Sequence, residues 1–445
     1  MHYHPITEDD KQKMLEEIGV ATFQELLGKI PATLRNPRIN VAEAISEWEL
    51  QTHLKKLASQ NKTSDDHLSF LGGGSYEHFI PAAVAQIIGR NEFYTAYTPY
   101  QPEAAQGTLQ SIFEYQSLIA ELTGLDVSNA SHYDGATSLA EAALVALRHT
   151  DRTKVLLSRG IHPHYREVVQ TYLNGTPYSA DEFSFSVNKT FTAADLDSKL
   201  GPDIAAVVIQ TPNFFGVLED LEGLSERLHQ QGILLIVVAN PLSLGVLRSP
   251  GDWGADVAVG EGQPLGIPQQ FGGPYLGYFA VTRALMRRIP GRLAGLTRDA
   301  DGKRAFCLTL QAREQHIRRE RAASNICTNQ ALCALAACVY MTLMGKQGIR
   351  EVAELNMDRA YYLRQKIGEL GKFKVDESVS IFNEFVVKSD KPFAEIEKKM
   401  IDKGIFAGID LARFYPELRN EFLVCATETK NREQLDYFSG ELAKC

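Results

Sequence analysis

Residues 251–280 read GDWGADVAVGEGQPLGIPQQFGGPYLGYFA. Residues 256–259 form a short apolar run that predicts a buried strand, and the Gly/Pro-rich segment after it predicts a loop. A second strand over 278–281 is entered through Phe271-Gly272-Gly273-Pro274. The loop contains no lysine. Lys199 and Lys303 are consecutive lysines of the chain, so a shift of several residues in the reading does not supply one.

Outward from this stretch the pattern alternates. Strands are expected near 127–130, 154–158, 205–210, 233–239, 256–259 and 278–281, with helical stretches between most of them. Near-continuous apolar strands separated by crossover helices imply a mainly parallel sheet with helices on both faces. A long helix over 104–123, stopped by Gly124, precedes the sheet. A second long helix over 327–344 leaves it, and strands near 380–387 and 421–425 imply a smaller α+β domain. The boundaries read as 1–69 for a helical segment, 70–327 for the large domain and 328–445 for the linking helix and small domain. In the first segment, Thr7 with Asp10 resembles an N-cap, residues 23–30 form a second unit before Pro31, and 42–64 look amphipathic.

The chain has 445 residues, a formal charge of −9 and six cysteines with no CxxC spacing. Net acidity gives no general reason to bind nucleic acid or an anionic membrane. The cysteines read as reduced structural thiols, and no metal site is implied. The longest uncharged helical run, 331–344, is shorter than the roughly 20 residues that span a bilayer. Neither a cationic start nor an apolar h-region opens the chain, so a cytoplasmic protein is expected.

Two loops concentrate residues suited to a pocket. Residues 70–81, FLGGGSYEHFIP, let backbone approach something closely through three consecutive glycines, and include Ser75 and His78. Residues 93–103, FYTAYTPYQPE, space Tyr94, Tyr97 and Tyr100 by three among prolines, followed by Gln101. The two readings are a pocket rim presenting hydroxyls and aromatic faces, and a turn-rich connection with half-buried tyrosines. At Ser138-x-x-Glu141 a capping box is expected, where a glycine turn enters a helix whose free N–H groups could hold an anion. His162-Pro163-His164 follows a strand, and Thr211-Pro212-Asn213 forms a turn at another. From Arg283 to Arg321 the chain turns basic, which reads as a solvated face or a docking patch.

This layout resembles the aminotransferase-like, type I family of pyridoxal-phosphate (PLP) enzymes. The resemblance implies a Schiff-base lysine in the 251–280 loop, an aspartate at the end of the 233–238 strand beneath the pyridine nitrogen, and a phosphate at the turn near residue 135. Gln263 stands where the amine belongs, and Val237-Val238-Ala239-Asn240 offers no acid. An amine nucleophile and an electron-sink carboxylate have no substitutes among these side chains.

The long motifs are more specific. GGGSYEHFIPA, residues 93–142, GEGQPLGIPQQFGGPYLGYFAV and the 318–328 segment RRERAASNICT resemble the alpha subunit of the bacterial glycine decarboxylase family, the P-protein of the glycine cleavage system. Arg321 departs from an expected lysine. That resemblance implies an α/β, PLP-transferase type I fold and a beta subunit that holds PLP, none being bound by this chain alone. It implies that the complex decarboxylates glycine and passes the aminomethyl group to the lipoyl arm of the H-protein, in a heterodimer or heterotetramer. Ser75, His78, Tyr94, Tyr97, Tyr100 and Gln101 would then line the site, and this chain would have no catalytic residue of its own. Two other readings remain: a scaffold or regulatory pseudoenzyme, and a self-sufficient PLP enzyme using a displaced Lys154 or Lys303.

Overall fold

The computed structural model describes residues 5–35, 37, 40–322, 324–326 and 328–445. Ala323 and Cys327 of the 318–328 motif, and the first four residues, lie outside the described set. Two compact units, Met1–Lys62 and Thr63–Cys445, make up the chain.

The first unit carries helices α1 (Glu8–Ile18), α2 (Phe23–Leu26), α3 (Ala32–Arg35) and α4 (Glu47–Ala58). Thr7 and Asp10 form the expected capping box, and Gly19 ends α1 in the left-handed conformation. Residues 23–30 divide into α2 and a 3₁₀ turn. The amphipathic 42–64 stretch is helical only from the Ser46–Glu49 capping box onward, because that box fixes the start. None of the described residues of this unit is buried.

The second unit begins with β1 (Leu68–Ser69), α5 (Ala82–Ile88), α6 (Asn91–Tyr94) and α7 (Gln106–Thr123). Next come β2 (Val127–Ser128), α8 (Gly135–Thr150), β3 (Lys154–Ser158), α9 (Pro163–Leu173), β4 (Ser179–Phe183), α10 (Ala193–Lys199) and β5 (Ile204–Gln210). Then follow α11 (Leu224–His229), β6 (Leu234–Val238), β7 (Val257–Glu261) and β8 (Gly277–Val281). These strands form one seven-stranded sheet in the order β2-β8-β7-β6-β5-β3-β4. The run from β4 to β7 is parallel, and β8 is antiparallel to both neighbours. Side chains alternate between the two faces. Val257, Val259, Phe279 and Val281 pack with α8 and α9, whereas Ala258, Tyr278 and Ala280 pack with Tyr115 and Tyr340 of the helices on the other side.

A hairpin, β9 (Leu293–Arg298) and β10 (Arg304–Thr309), and helix α12 (Gln315–Arg318) occupy the basic segment. Helix α13 (Ala331–Gly368) is long and apolar enough to span a membrane by length and composition. It departs from helical geometry at Gly345 (φ 59°), and its Ala337, Tyr340 and Ala353 are wholly inside the core. That burial makes it the packed core helix expected over 331–344, extended beyond the glycine. The small sheet has the order β11-β12-β15-β14, from β11 (Phe373–Val375), β12 (Glu384–Ser389), β14 (Ile409–Asp410) and β15 (Glu421–Cys425). Helices α14 (Phe393–Ile401) and α15 (Arg432–Leu442) cover it. The short β13 (Ile405–Phe406) pairs with β1 and ties the entry of the glycine stretch to this domain.

Candidate active site and its relatives

In a parallel sheet, ligands are bound beyond the carboxyl ends of the strands. Here that edge gathers the α8 start after β2, the His162 turn after β3, the Asn213 turn after β5, Asn240 after β6 and Gln263 after β7. The strand order alone brings these distant segments together.

Helix α8 starts at Gly135, capped by Asp134. The Thr137 amide donates to Asp134 Oδ1 at 2.7 Å, and the Thr137 hydroxyl accepts from the Asp134 amide. The capping box is therefore Asp134–Thr137 and not Ser138–Glu141. Ser138 is already inside the helix, its amide bonded to the Asp134 carbonyl. Glu141 is instead buried, accepts from the Ser324 hydroxyl at 2.9 Å, and has its pKa raised by burial to about 7.

The first helical amide, Gly135 N–H, donates to a second carboxylate. Glu261 Oε2 accepts it at 3.0 Å, and Glu261 Oε1 accepts from the amides of Gln263 (2.9 Å) and Leu276 (2.8 Å). Burial pushes this carboxyl up to about 8, against the pull of its N–H donors. Two carboxyl groups thus take up the amide donors at the start of α8. The space is also closed. A Cβ on Gly135 would meet the Tyr165 hydroxyl at 2.3 Å.

Gln263 is 1% exposed and fully engaged. Its Oε1 accepts from the Tyr76 amide at 2.9 Å, while Nε2 donates to the carbonyls of Tyr76 (2.9 Å) and Ile267 (2.7 Å). Tyr76 continues the network by donating its hydroxyl to Glu384 Oε2 at 2.8 Å, and Glu384 Oε1 accepts from the Gly73 amide at 2.6 Å. Desolvation raises the Glu384 pKa to about 7. The glycines permit this approach: a Cβ on Gly72 would lie 2.1 Å from Glu384 Oε1. His162 Nε2 bonds the Gly73 carbonyl at 2.7 Å, its ring stacks on Tyr165, and burial lowers its pKa to about 4.

The Asn213 turn is organised by one buried amide. Its Oδ1 accepts from the amides of Phe215 and Val217, and Nδ2 donates to Glu219 Oε1 at 2.8 Å. After β6, Asn240 Oδ1 caps the Leu242 amide, and no carboxyl stands at residues 237–240. Lys154, at the opposite end of the sheet, pairs with Asp203 at 3.1 Å, and Lys303 is exposed in the β9–β10 turn beside Asp301. Neither of these lysines lies at the carboxyl edge.

The residues expected to line a site fall into separate groups. Ser75 Oγ accepts from the Tyr275 hydroxyl at 2.7 Å and from Gln269 at 3.2 Å, joining the glycine stretch to the 263–275 loop. His78 is turned inward, its Nδ1 at 2.8 Å from Glu428 Oε2 in an enclosed hydrogen bond, so its side chain does not form a rim. The sequence separation of the two partners hides that pairing from any local reading. Tyr94 and Tyr97 are 67% and 76% exposed, and the Tyr97 hydroxyl is 3.5 Å from Thr328 Oγ1. Tyr100 accepts from Arg292 Nη2 at 3.0 Å beside the basic segment, and Gln101 is exposed. That basic segment is only in part a solvated face, because Arg292 is 4% exposed.

Sequence reasoning missed Glu261, Tyr165 and Glu384. For Glu261 a signal existed, an acidic residue closing an apolar strand and followed by glycine. For the other two none was local.

The architecture is that of the fold type I PLP-dependent transferases. A sphingosine-1-phosphate lyase from Burkholderia pseudomallei superposes with a TM-score of 0.66 at 14% identity, covering 93% of this chain and 94% of that one. A NifS-like protein does so at 0.64 and 12% identity, covering 85% of this chain and 98% of that one. A crystal structure of glycine decarboxylase (P-protein) of the glycine cleavage system, in inhibitor-bound form, superposes at a TM-score of 0.92 with 42% identity, covering 100% of both chains. The family described as glycine cleavage system P-protein matches residues 1–441. A probable glycine dehydrogenase (decarboxylating) subunit 1 from Anoxybacillus flavithermus is 51% identical over 441 residues, covering 99% of this chain and 98% of the relative. One from Desulforamulus reducens is 47% identical over 443 residues, covering 99% of each. The chain belongs to the glycine cleavage system P-protein family, as a subunit 1 of glycine dehydrogenase (decarboxylating). A subunit 1 implies a partner subunit 2 in the complex.

Proposed function

We propose that this chain completes a glycine-decarboxylating site whose PLP belongs to subunit 2, and holds no PLP itself. The observation that carries the reading is the filling of the cofactor region by the chain's own groups. Glu261 and Asp134 take the donors at the start of α8, where a phosphate would meet two carboxyl groups. Gln263 stands in the position of the Schiff-base lysine and is not a nucleophile toward an aldehyde. No acid at the end of β6 supports a pyridinium. The residues present therefore do not fit PLP, and no step of the reaction is routed through it on this chain.

The contribution of this chain is a surface. Tyr94 at the end of α6, and Tyr97 and Gln101 in the segment after it, stand exposed, and Tyr100 is held to the basic segment by Arg292. These groups offer hydroxyls and aromatic faces to glycine or to the lipoyl arm of an H-protein. The exposed apolar residues of α1 and α4, among them Met14, Ile18, Trp48 and Leu54, suit the first unit to an interface within a heteromer. A cytoplasmic setting belongs to the same reading.

The test is reconstitution. Glycine–CO2 exchange is measured with subunit 2 alone, with this chain alone and with both, in the presence of lipoylated H-protein. Exchange only in the mixture supports the reading. Undiminished exchange by subunit 2 alone would reduce this chain to a scaffold, and exchange by this chain alone would refute the proposal.

A further inference from the structure

A groove of about 360 Å³ lies where the large and small domains of the second unit meet, beside the Asn213 turn, whose Phe215 and Val217 line it. Its floor is apolar. Phe215 and Val217 come from the large domain, Ile381 and Phe385 from the small one, and all four are buried. The two domains are stitched there by backbone bonds from Leu218 to Ser380 and from Phe382 to Gly216.

The rim is cationic. Lys374 and Lys388 face each other directly across β11 and β12, and both line the groove. Like charges opposite one another in a sheet are destabilising unless something of opposite sign lies between them. Among the described residues, the carboxylate paired with this rim is Glu421. It sits 3.3 Å from Lys388 and 3.1 Å from Lys189, so one carboxylate is shared by two ammonium groups. Asp376, also on the rim, spends one oxygen on the amide and hydroxyl of Ser378.

Lys189 enters from a tight turn. It adopts φ 66°, in the left-handed region that a residue with a Cβ rarely takes. In it the ammonium lies over the rings of Phe185 and Phe215, at 5.7 and 6.0 Å. The same turn leaves Val187 88% exposed at the groove edge. An apolar floor, an apolar lip and a surplus of ammonium groups on one side define a ligand with the complementary division.

We propose that this groove binds a small organic anion with a flat apolar body, its carboxylate or phosphate between Lys374 and Lys388 and its body over the half-buried Val379 and Val386. The size suits this class, because ligand pockets start at roughly 300 Å³. The site also has a route to the glycine stretch. Glu384 lies on the same face of β12 as Val386 and Lys388 of the groove, and its carboxyl holds Gly73 and Tyr76. A ligand clamped across the junction fixes the strand that positions that carboxyl. The proposal does not rest on which subunit holds PLP.

The experiment uses the full chain and fluorine NMR of three probes: 4-fluorobenzoate, 4-fluorophenyl phosphate and, as the cationic control, 4-fluorobenzylamine. Saturable line broadening is expected for the anions and not for the amine, and the tighter anion identifies the acid group. Lys374→Ala with Lys388→Ala weakens binding about tenfold or more, and Lys374→Arg with Lys388→Arg retains it within about threefold. Both pairs change exposed side chains, so an unchanged melting temperature verifies that the fold persists. Absence of saturation, equal broadening by the amine, or equal affinity in the alanine pair would overturn the proposal.

Discussion

The region around Gln263 and the loop around Tyr97 differ in almost every physical respect. Gln263 is sealed, and each of its polar atoms has a partner inside the chain. Tyr97 is three-quarters exposed and has one long contact at its hydroxyl. A buried amide satisfied on all sides contributes to folding and offers nothing to a ligand. An exposed aromatic stabilises the chain little and is available to another molecule. In a fold shared with PLP-dependent transferases, the proposed function assigns structure to the interior of this subunit and the groups offered to substrate to its rim.

The largest effect that can break this contrast is Gln263→Lys. An ammonium there keeps two carbonyl acceptors but loses the acceptor for the Tyr76 amide, and it places a charge in a fully buried site. A loss of about 3–5 kcal/mol in urea unfolding is expected. The variant should still form no stable PLP adduct, because Glu261 and Asp134 remain at the start of α8. A variant as stable as the parent would show that the interior is not as filled as its hydrogen bonds imply.

On the exposed side, Tyr94→Ala and Tyr97→Ala should leave unfolding within about 0.5 kcal/mol of the parent. The same changes should lower exchange by the assembled complex by about tenfold, or ~1.4 kcal/mol in the barrier. Equal exchange with both alanines would remove these tyrosines from the site. Stability loss without activity loss would make them structural.

A smaller effect separates the two regions by pH. Glu384, Glu219 and Glu141 have folded pKa values raised to about 7, and Glu261 to about 8, from the ordinary 4.5, so the folded chain binds more protons than the unfolded one between these values. Their contribution to stability is full below about pH 4.5 and is lost as pH rises through about 7, or about 8 for Glu261. His162, lowered to about 4, acts in the opposite sense, but its window closes near its ordinary value of 6.5. Unfolding free energy should therefore fall between pH 6.5 and 8, by roughly 1 kcal/mol for each carboxyl raised to about 7. Glu384→Gln should make that slope shallower by one carboxyl's share, since Gly73 and the Tyr76 hydroxyl can still be partnered by an amide. The tyrosine variants should leave it unchanged.

Much of this was legible in the sequence, and the reasons are local. The strands β3, β5, β6, β7 and β8 are continuous apolar runs because both sheet faces are covered, so periodicity found them within a residue or two. Strand β4 lies at the sheet edge with an alternating exposed pattern and was missed. So was the β9–β10 hairpin, whose arginines read as a charge run although Arg292 at its entry is buried. The lysine-free interval between Lys199 and Lys303 was plain, because its length survives any error of register, and so was the lack of a carboxyl at residues 237–240. What occupies their place was not. Glu261 reaches Gly135, and Glu384 reaches Gly73, across separations that only the folded sheet closes. The same limit put His78 on a rim when its partner, Glu428, draws it inside.

The central claim is that this subunit's own cofactor region is closed. It is tested most directly by titrating the isolated chain with PLP, recording absorbance of the Schiff-base band, and dialysing. The account predicts no band beyond that of free PLP and full recovery of the chain without bound cofactor. A stoichiometric band that survives dialysis would contradict it.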